Sequence, residues 1–162
     1  MKIRNGQLED VENIAPLIAR FRVELRALKA ITSCPNIPLA LEEYKEYLQA
    51  SYPVFVAEEG NECIGYLVCR VEGTIVWVES VYVKEEFRRS GIASALYEQA
   101  EALANSMGED TVYNYVHPNN HKMIRFLNKR GYNVLNLIEI RRPYANEKPT
   151  SVIQVGDNSF NY

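Results

Sequence analysis

"EEFRRSGIASALYEQA", Glu85 to Ala100, is the stretch on which the fold turns. Two adjacent arginines, a serine and a glycine lead straight into an amphipathic helix. Ile92, Leu96, Ala100 and Leu103 lie on one face of that helix, and Gly108 marks its C-terminal stop. A helix opening near Gly91 presents unsatisfied backbone N–H groups and the positive end of its dipole, and both favour an anion. Gly91 lets the backbone approach a ligand, small Ser90, Ala93 and Ser94 keep the approach open, and Arg88 and Arg89 add charge-assisted donors. Taken alone, these residues describe either a cradle for a phosphorylated ligand or a solvated charged turn with a convenient glycine. No Gly-Lys-Ser/Thr follows, so the stretch is not a nucleotide-hydrolase loop. The dinucleotide pattern G-x-G-x-x-G is absent as well.

Upstream, "KIRN" reads as a short strand. Leu8, Val11, Ile14, Leu17, Ile18, Phe21, Leu25 and Leu28 then recur at helical spacing, with Pro16 expected to kink or delay the first turns. After "TSCPNIP", the segment "LALEEYKEYLQA" predicts a second helix. "PVFVAEE", "ECIGYLVCRVE" and "TIVWVESVYV" are β-rich runs joined by hairpin-like links, so three consecutive antiparallel strands are expected. Downstream of the central helix come "DTVYNYVH" as a strand, "PNNHKMIRFLNKRG" as a helix and "YNVLNLIEIRR" as a strand. "TSVIQVGDNSFNY" is expected to add a strand or stay loose. The order implies an α/β (α+β) fold: a mixed, mostly antiparallel central sheet of six to seven strands with helices on both faces, formed by residues 1–162 as one domain.

Composition narrows the function classes. Of 162 residues, 47% are hydrophobic and 24% charged, as in an ordinary globular domain. The net charge is −3 and the pI about 5.5, with basic residues only in local groups, so a nucleic-acid partner is not expected. No apolar run approaches the ~20 residues of a membrane span, and "MKIRNGQLEDVENI" lacks a secretory apolar stretch. Cys34, Cys63 and Cys69 have no metal-ligand spacing, and so sparse a count fits a reducing compartment. A cytoplasmic protein with no membrane partner and no metal is expected.

Arg88-Arg89-Ser90-Gly91-Ile92-Ala93 meets the pattern R/Q-x-x-G-x-G/A, preceded by a strand ending in "VYV" and followed by a long helix. Downstream, "NNHKMIRFLNKRGY" is similar to N-x-x-A-x-x-F-Y-x-x-x-G-F, with Asn120, Phe126, Gly131 and Tyr132 in register. In these two motifs, which span about Trp77 to Tyr132, the sequence resembles the GNAT superfamily of acyl-CoA-dependent N-acetyltransferases. The resemblance implies acetyl-CoA as co-substrate, held in a cleft where two neighbouring strands splay apart. It implies that the backbone of Val81 and Val83 pairs with the pantetheine arm. The amides from Arg89 to Ser94, including Ile92 and Ala93, would wrap the pyrophosphate, and Asn120 would contact the cofactor from the far side.

Acetyl transfer to an amine needs a neutral amine, a stabilised oxyanion and a departing thiolate. A free N–H near Val81 could serve the oxyanion. Glu79 is the leading candidate base: it precedes Val81 and Val83 by two and four residues, and shares their strand face unless a bulge intervenes. Glu79-Ser80-Val81-Tyr82-Val83 also resembles the E-D-x-Y/F-V pattern of polyamine acetyltransferases. A lone strand carboxylate is otherwise a surface or ion-pair residue. His117, with a side chain that titrates near neutrality, is the second candidate, and the bland alternative is a strand-end hydrogen bonder. One departure stands out: Leu127 occupies the place after Phe126 where many family members carry a tyrosine that protonates the leaving sulfur. Thiolate leaves fairly well unaided, and Tyr115, Tyr132 and Tyr82 are possible substitutes. His121, Lys122, Arg125 and Lys129 cluster on one helix face, either solvated or touching the cofactor's 3′-phosphate.

The expected activity is acetyl-CoA-dependent N-acetylation of a primary amine on a small molecule or peptide. The alternative is a non-catalytic acyl-CoA-binding module, motivated by Leu127. Homodimerisation through the C-terminal segment is possible by analogy.

Overall fold

A computed structural model describes residues 1–162. They form two compact units, Met1–Arg125 and Phe126–Tyr162. The first holds a five-stranded sheet in the order β1-β2-β3-β4-β5, built from β1 (Lys2–Asn5), β2 (Val54–Glu59), β3 (Glu62–Glu72), β4 (Ile75–Val83) and β5 (Tyr113–Asn114). Strands β1 to β4 pair antiparallel in sequence, as the three β-rich runs predicted, and only β4–β5 is parallel. Crossing from β4 to a parallel β5 needs a helical connection, which α3 (Ile92–Ser106) supplies.

Between β1 and β2 lie α1 (Val11–Ala27) and α2 (Ile37–Gln49). The first turn before α1 is 3₁₀, Leu8–Asp10, and the helix runs through Pro16. A proline this early forfeits a single intrahelical bond while most of the helix lies beyond it. Ile14, Leu17 and Ile18 of α1 and Ala40 and Tyr44 of α2 are buried against Val56, Tyr66, Val68 and Tyr82, which covers one face of the sheet. Helix α3 covers the other with Ile92, Leu96, Tyr97, Ala100 and Ala104. At Gly65 the approach is so close that a Cβ would meet the Tyr82 carbonyl oxygen at 2.9 Å, Val83 Cγ2 at 3.2 Å and Ile92 Cγ2 at 3.5 Å. No helix is long and apolar enough to cross a membrane.

The C-terminal third departs from expectation. The strand predicted over "DTVYNYVH" shrinks to Tyr113–Asn114, because only these two residues find partners on β4, at Trp77 and Val78. Helix α4 (His121–Lys129) forms as predicted. The strand predicted over "YNVLNLIEIRR" is not one: residues 133–142 carry no helix or strand and are exposed throughout. A β-branched, apolar run becomes a strand only where a neighbour takes its backbone groups. The closing segment makes a separate hairpin, β6 (Val152–Val155) with β7 (Asn158–Asn161). The central sheet therefore has five strands rather than six to seven.

Candidate active site

The mouth of α3 is built from the "RRSGIA" stretch. After β4, a 3₁₀ turn over Glu85–Phe87 leads to Arg88 in extended geometry, Arg89 at φ +67° and Gly91 at φ +87°. Ser90 Oγ turns back to donate to the Phe87 carbonyl at 2.5 Å, so it does not cap the helix. Gly91 is the N-cap residue and no side chain caps α3. The first helical bond runs from the Ala95 amide to the Gly91 carbonyl, at 3.0 Å. The amides of Ile92, Ala93 and Ser94 therefore precede the hydrogen-bonded ladder and point out of the helix end. A Cβ on Gly91 would meet nothing within 4 Å, so glycine is required here for its positive φ rather than for clearance.

The two arginines separate. Arg88 Nε donates to the Val83 carbonyl at 2.9 Å, its terminal nitrogen pairs with Glu24 of α1 at 2.6 Å, and its guanidinium lies 5.1 Å from the centre of the Tyr82 ring. Partial burial works against its charge, and Glu24 outweighs it, raising the Arg88 pKa. Arg88 thus fastens the loop to β4 and α1, while Arg89 stands exposed.

Next to this mouth the sheet opens. Pairing of β4 with β5 stops at Val78–Asn114, where the Tyr97 hydroxyl of α3 donates to Asn114 Oδ1 at 2.8 Å. Beyond that point β4 has a neighbour on one side only. The Lys84 amide donates to the Ile64 carbonyl at 2.9 Å, and antiparallel alternation then directs the main-chain groups of Tyr82 and Ser80 toward β3. Those of Val81 and Val83 point to the open side. The Val83 carbonyl accepting from Arg88 agrees with that direction.

Glu79 is placed by a bulge. Ser80 pairs with Val68 and Val78 with Cys69, so Glu79 is the extra residue on β4. The simple alternation that would set Glu79 on one face with Val81 and Val83 is therefore broken. Its Oε2 lies 3.4 Å from Nε of Arg70 on β3. Arg70 also pairs with Glu72, and its guanidinium stacks 5.7 Å from the centre of the Trp77 ring. Tyr115, the residue after β5, stacks on Trp77 at 4.6 Å and 10°, and Tyr113 packs on the same indole at 5.0 Å. Sequence reasoning missed Arg70 and Trp77. Only the cross-strand register, which pairs the two directly, brings them together.

His117 follows β5. Burial, reinforced by the cation of Lys29, lowers its pKa, which keeps the imidazole neutral at pH 7. Asn120 caps α4: its Oδ1 accepts from the Met123 amide at 3.1 Å and its carbonyl from the Ile124 amide at 2.9 Å. Asn119 Nδ2 donates to the Leu28 carbonyl at 2.9 Å, which ties the start of α4 to the end of α1. Leu127 is buried. Of the acidic residues of α1 and α2, Glu24 is taken by Arg88, and Glu43 by Arg22 and Tyr47.

The pattern of the acetyltransferase (GNAT) family fits residues 25–132, two thirds of the chain. The chain belongs to the GNAT acetyltransferase family. It is 29% identical over 157 residues to an N-alpha-acetyltransferase of Sulfurisphaera tokodaii, covering 89% of this chain and 86% of that one. Among solved structures, the fold is shared with AAC(6')-Iy in complex with the bisubstrate analogue CoA-S-monomethyl-acetylneamine. That match has a TM-score of 0.68 at 19% identity and covers 89% and 98% of the two chains. The ribosomal-protein-alanine N-acetyltransferase of Brucella melitensis shares it with a TM-score of 0.65 at 16% identity, over 89% and 100%. As a GNAT protein the chain is an N-acetyltransferase.

Proposed function

We propose that this N-acetyltransferase moves the acetyl group of acetyl-CoA directly to a primary amine of a small molecule or peptide. The observation that carries the proposal is a pair of main-chain sets outside any strand or helix ladder: the amides of Ile92, Ala93 and Ser94 at the α3 mouth, and the Val81 and Val83 groups turned to the open side of β4. A pyrophosphate at the first and an amide-bearing arm along the second would leave the thioester beside Glu79. The amine then attacks the thioester carbonyl, an N–H near Val81 faces the oxyanion, and Glu79 takes the ammonium proton, with neutral His117 as the second acceptor. The α-amino group of a peptide is the first acceptor to try, because the Sulfurisphaera relative carries that activity in its name.

The second reading is a non-catalytic acyl-CoA-binding module, favoured by buried Leu127 in the place of the family's tyrosine acid. Titration calorimetry with acetyl-CoA, followed by CoA release over a panel of peptides and small amines, separates the two. Binding with turnover on at least one amine supports the enzyme, and binding without turnover on any supports the module. Failure to bind acetyl-CoA overturns both.

A cytoplasmic location accords with three free thiols, two of them buried. A homodimer accords with Val134, Leu135, Leu137 and Ile140, each at least 67% exposed within a run that alternates no polar face. Light scattering during gel filtration, with Leu135→Lys/Leu137→Lys as the monomeric comparison, tests the dimer.

A further inference from the structure

We propose that Arg70 is the positioning residue of the transfer step, holding the Glu79 carboxylate and the Tyr115 hydroxyl where β4 and β5 part. The proposal rests on the acetyl-transfer reading of the cleft. Arg70 is on β3, two residues beyond fully buried Val68, yet it carries the largest and most rigid cation of the side-chain repertoire. Its guanidinium is bounded by the indole face of Trp77 at 5.7 Å, by Glu79 at 3.4 Å and by Glu72. Partial burial lowers its pKa, and Glu72, Glu79 and the neighbouring Tyr115 hydroxyl together outweigh that and raise it. Tyr115 is held by stacking on the same indole at 4.6 Å. One side chain therefore sits against both a proton acceptor and a proton donor, and the indole that it covers lies parallel to the donor's ring.

The 3.4 Å separation is longer than the ~2.7–2.9 Å of a full charge-assisted hydrogen bond, so the carboxylate is oriented while its lone pairs stay open to an ammonium. In the step itself the amine nitrogen forms a bond to the thioester carbonyl carbon and its proton passes to Glu79. Collapse of the tetrahedral intermediate breaks the carbon–sulfur bond, and the thiolate takes the Tyr115 proton. The phenolate stands beside Arg70 and regains a proton through solvent from Glu79, so the net exchange is an amine N–H for a thiol S–H. This places a donor for the leaving sulfur just after β5 in a chain whose α4 carries Leu127 instead of tyrosine.

Trp77 is the sole tryptophan, so its emission reports on the cluster directly. The test compares wild type, Arg70→Ala and Arg70→Lys for acceptor turnover, acetyl-CoA affinity, thermal melting and Trp77 fluorescence. Arg70→Ala is expected to lower kcat by about 10- to 100-fold through misplacement, with acetyl-CoA affinity and acceptor KM within about twofold. Its Trp77 emission shifts as the indole loses its covering guanidinium. Arg70→Lys restores part of kcat. Arg70→Ala protein that melts like wild type and keeps kcat overturns the proposal. If Arg70→Ala does not fold, Arg70→Lys with the emission and kcat of wild type overturns it equally, since a flexible ammonium cannot replace a planar fork held between two partners. A wild type that binds acetyl-CoA but acetylates no amine overturns the acetyl-transfer reading and the Arg70 role with it. An active wild type whose Arg70→Ala variant keeps the wild-type kcat overturns the Arg70 role alone.

Discussion

Gly91→Ala isolates the torsional demand at the α3 mouth. Gly91 sits at φ +87°, ψ −4°, and a Cβ there meets no atom within 4 Å, so the substitution adds no clash and acts only through the backbone. An L-residue in left-handed geometry costs about 1–2 kcal/mol. If the loop relaxes when no ligand holds it, that energy is paid again on binding, and 1–2 kcal/mol corresponds to about 5- to 30-fold weaker acetyl-CoA binding. If the loop cannot relax, the same energy appears as lost stability. Gly60→Ala is the control: Gly60 is at φ +62° in the β2–β3 turn, with nothing within 4 Å and no place in the cleft. Calorimetric titration with acetyl-CoA and urea melts of both variants distinguish the outcomes. The expected result is a stability loss in Gly60→Ala with affinity intact, and weakened affinity in Gly91→Ala. Unchanged affinity together with unchanged stability in Gly91→Ala refutes the account of the α3 mouth.

Three further outcomes follow from packing and charge. Glu79→Gln is expected to lower kcat by about 10²- to 10⁴-fold at unchanged acetyl-CoA affinity, read from steady-state kinetics and titration. Gly65→Ala forces a Cβ to 2.9 Å from the Tyr82 carbonyl and is expected to destabilise by about 1–3 kcal/mol in urea melts, since neither strand backbone can yield cheaply. Asp10 is bonded by both Arg4 terminal nitrogens at 2.7 Å and by the Gln7 amide at 2.8 Å. Against the opposing effect of burial, the Arg4 bonds hold its carboxyl below the ordinary range. A depressed carboxyl contributes stability that is complete above its unfolded pKa, about 3.9, and is lost as pH falls through the lower folded value. Wild type should therefore lose stability on acidification from pH 4 downward, and Asp10→Asn should flatten that limb of the curve in melts across the range.

The helix mouth was legible because its chemistry is local: a glycine at a helix start with no capping side chain can be read in six residues. The antiparallel β2–β3–β4 meander was legible for the same reason, through period-two runs and short turns. What the sequence could not show depends on register. The bulge that makes Glu79 the extra residue exists only as a mismatch between Val68–Ser80 and Cys69–Val78. The cluster of Arg70, Trp77 and Tyr115 draws on β3, β4 and the residue after β5, and is written in no single segment. The pairing of Arg88 with Glu24, sixty-four residues away, is likewise absent from any local pattern. The apolar residues of 133–142 satisfied every local criterion for a strand, and a ladder partner is the one criterion a local pattern does not contain.

The central claim is that main-chain groups of one strand edge and one helix mouth grip acetyl-CoA. Amide hydrogen exchange followed residue by residue by NMR, with and without acetyl-CoA, tests it most directly. The account predicts new protection at Val81, Val83, Ile92, Ala93 and Ser94, with the amides of Tyr82 and Ser80 already slow in the free protein because they bond β3. Tight binding that leaves those five amides exchanging as before would contradict it.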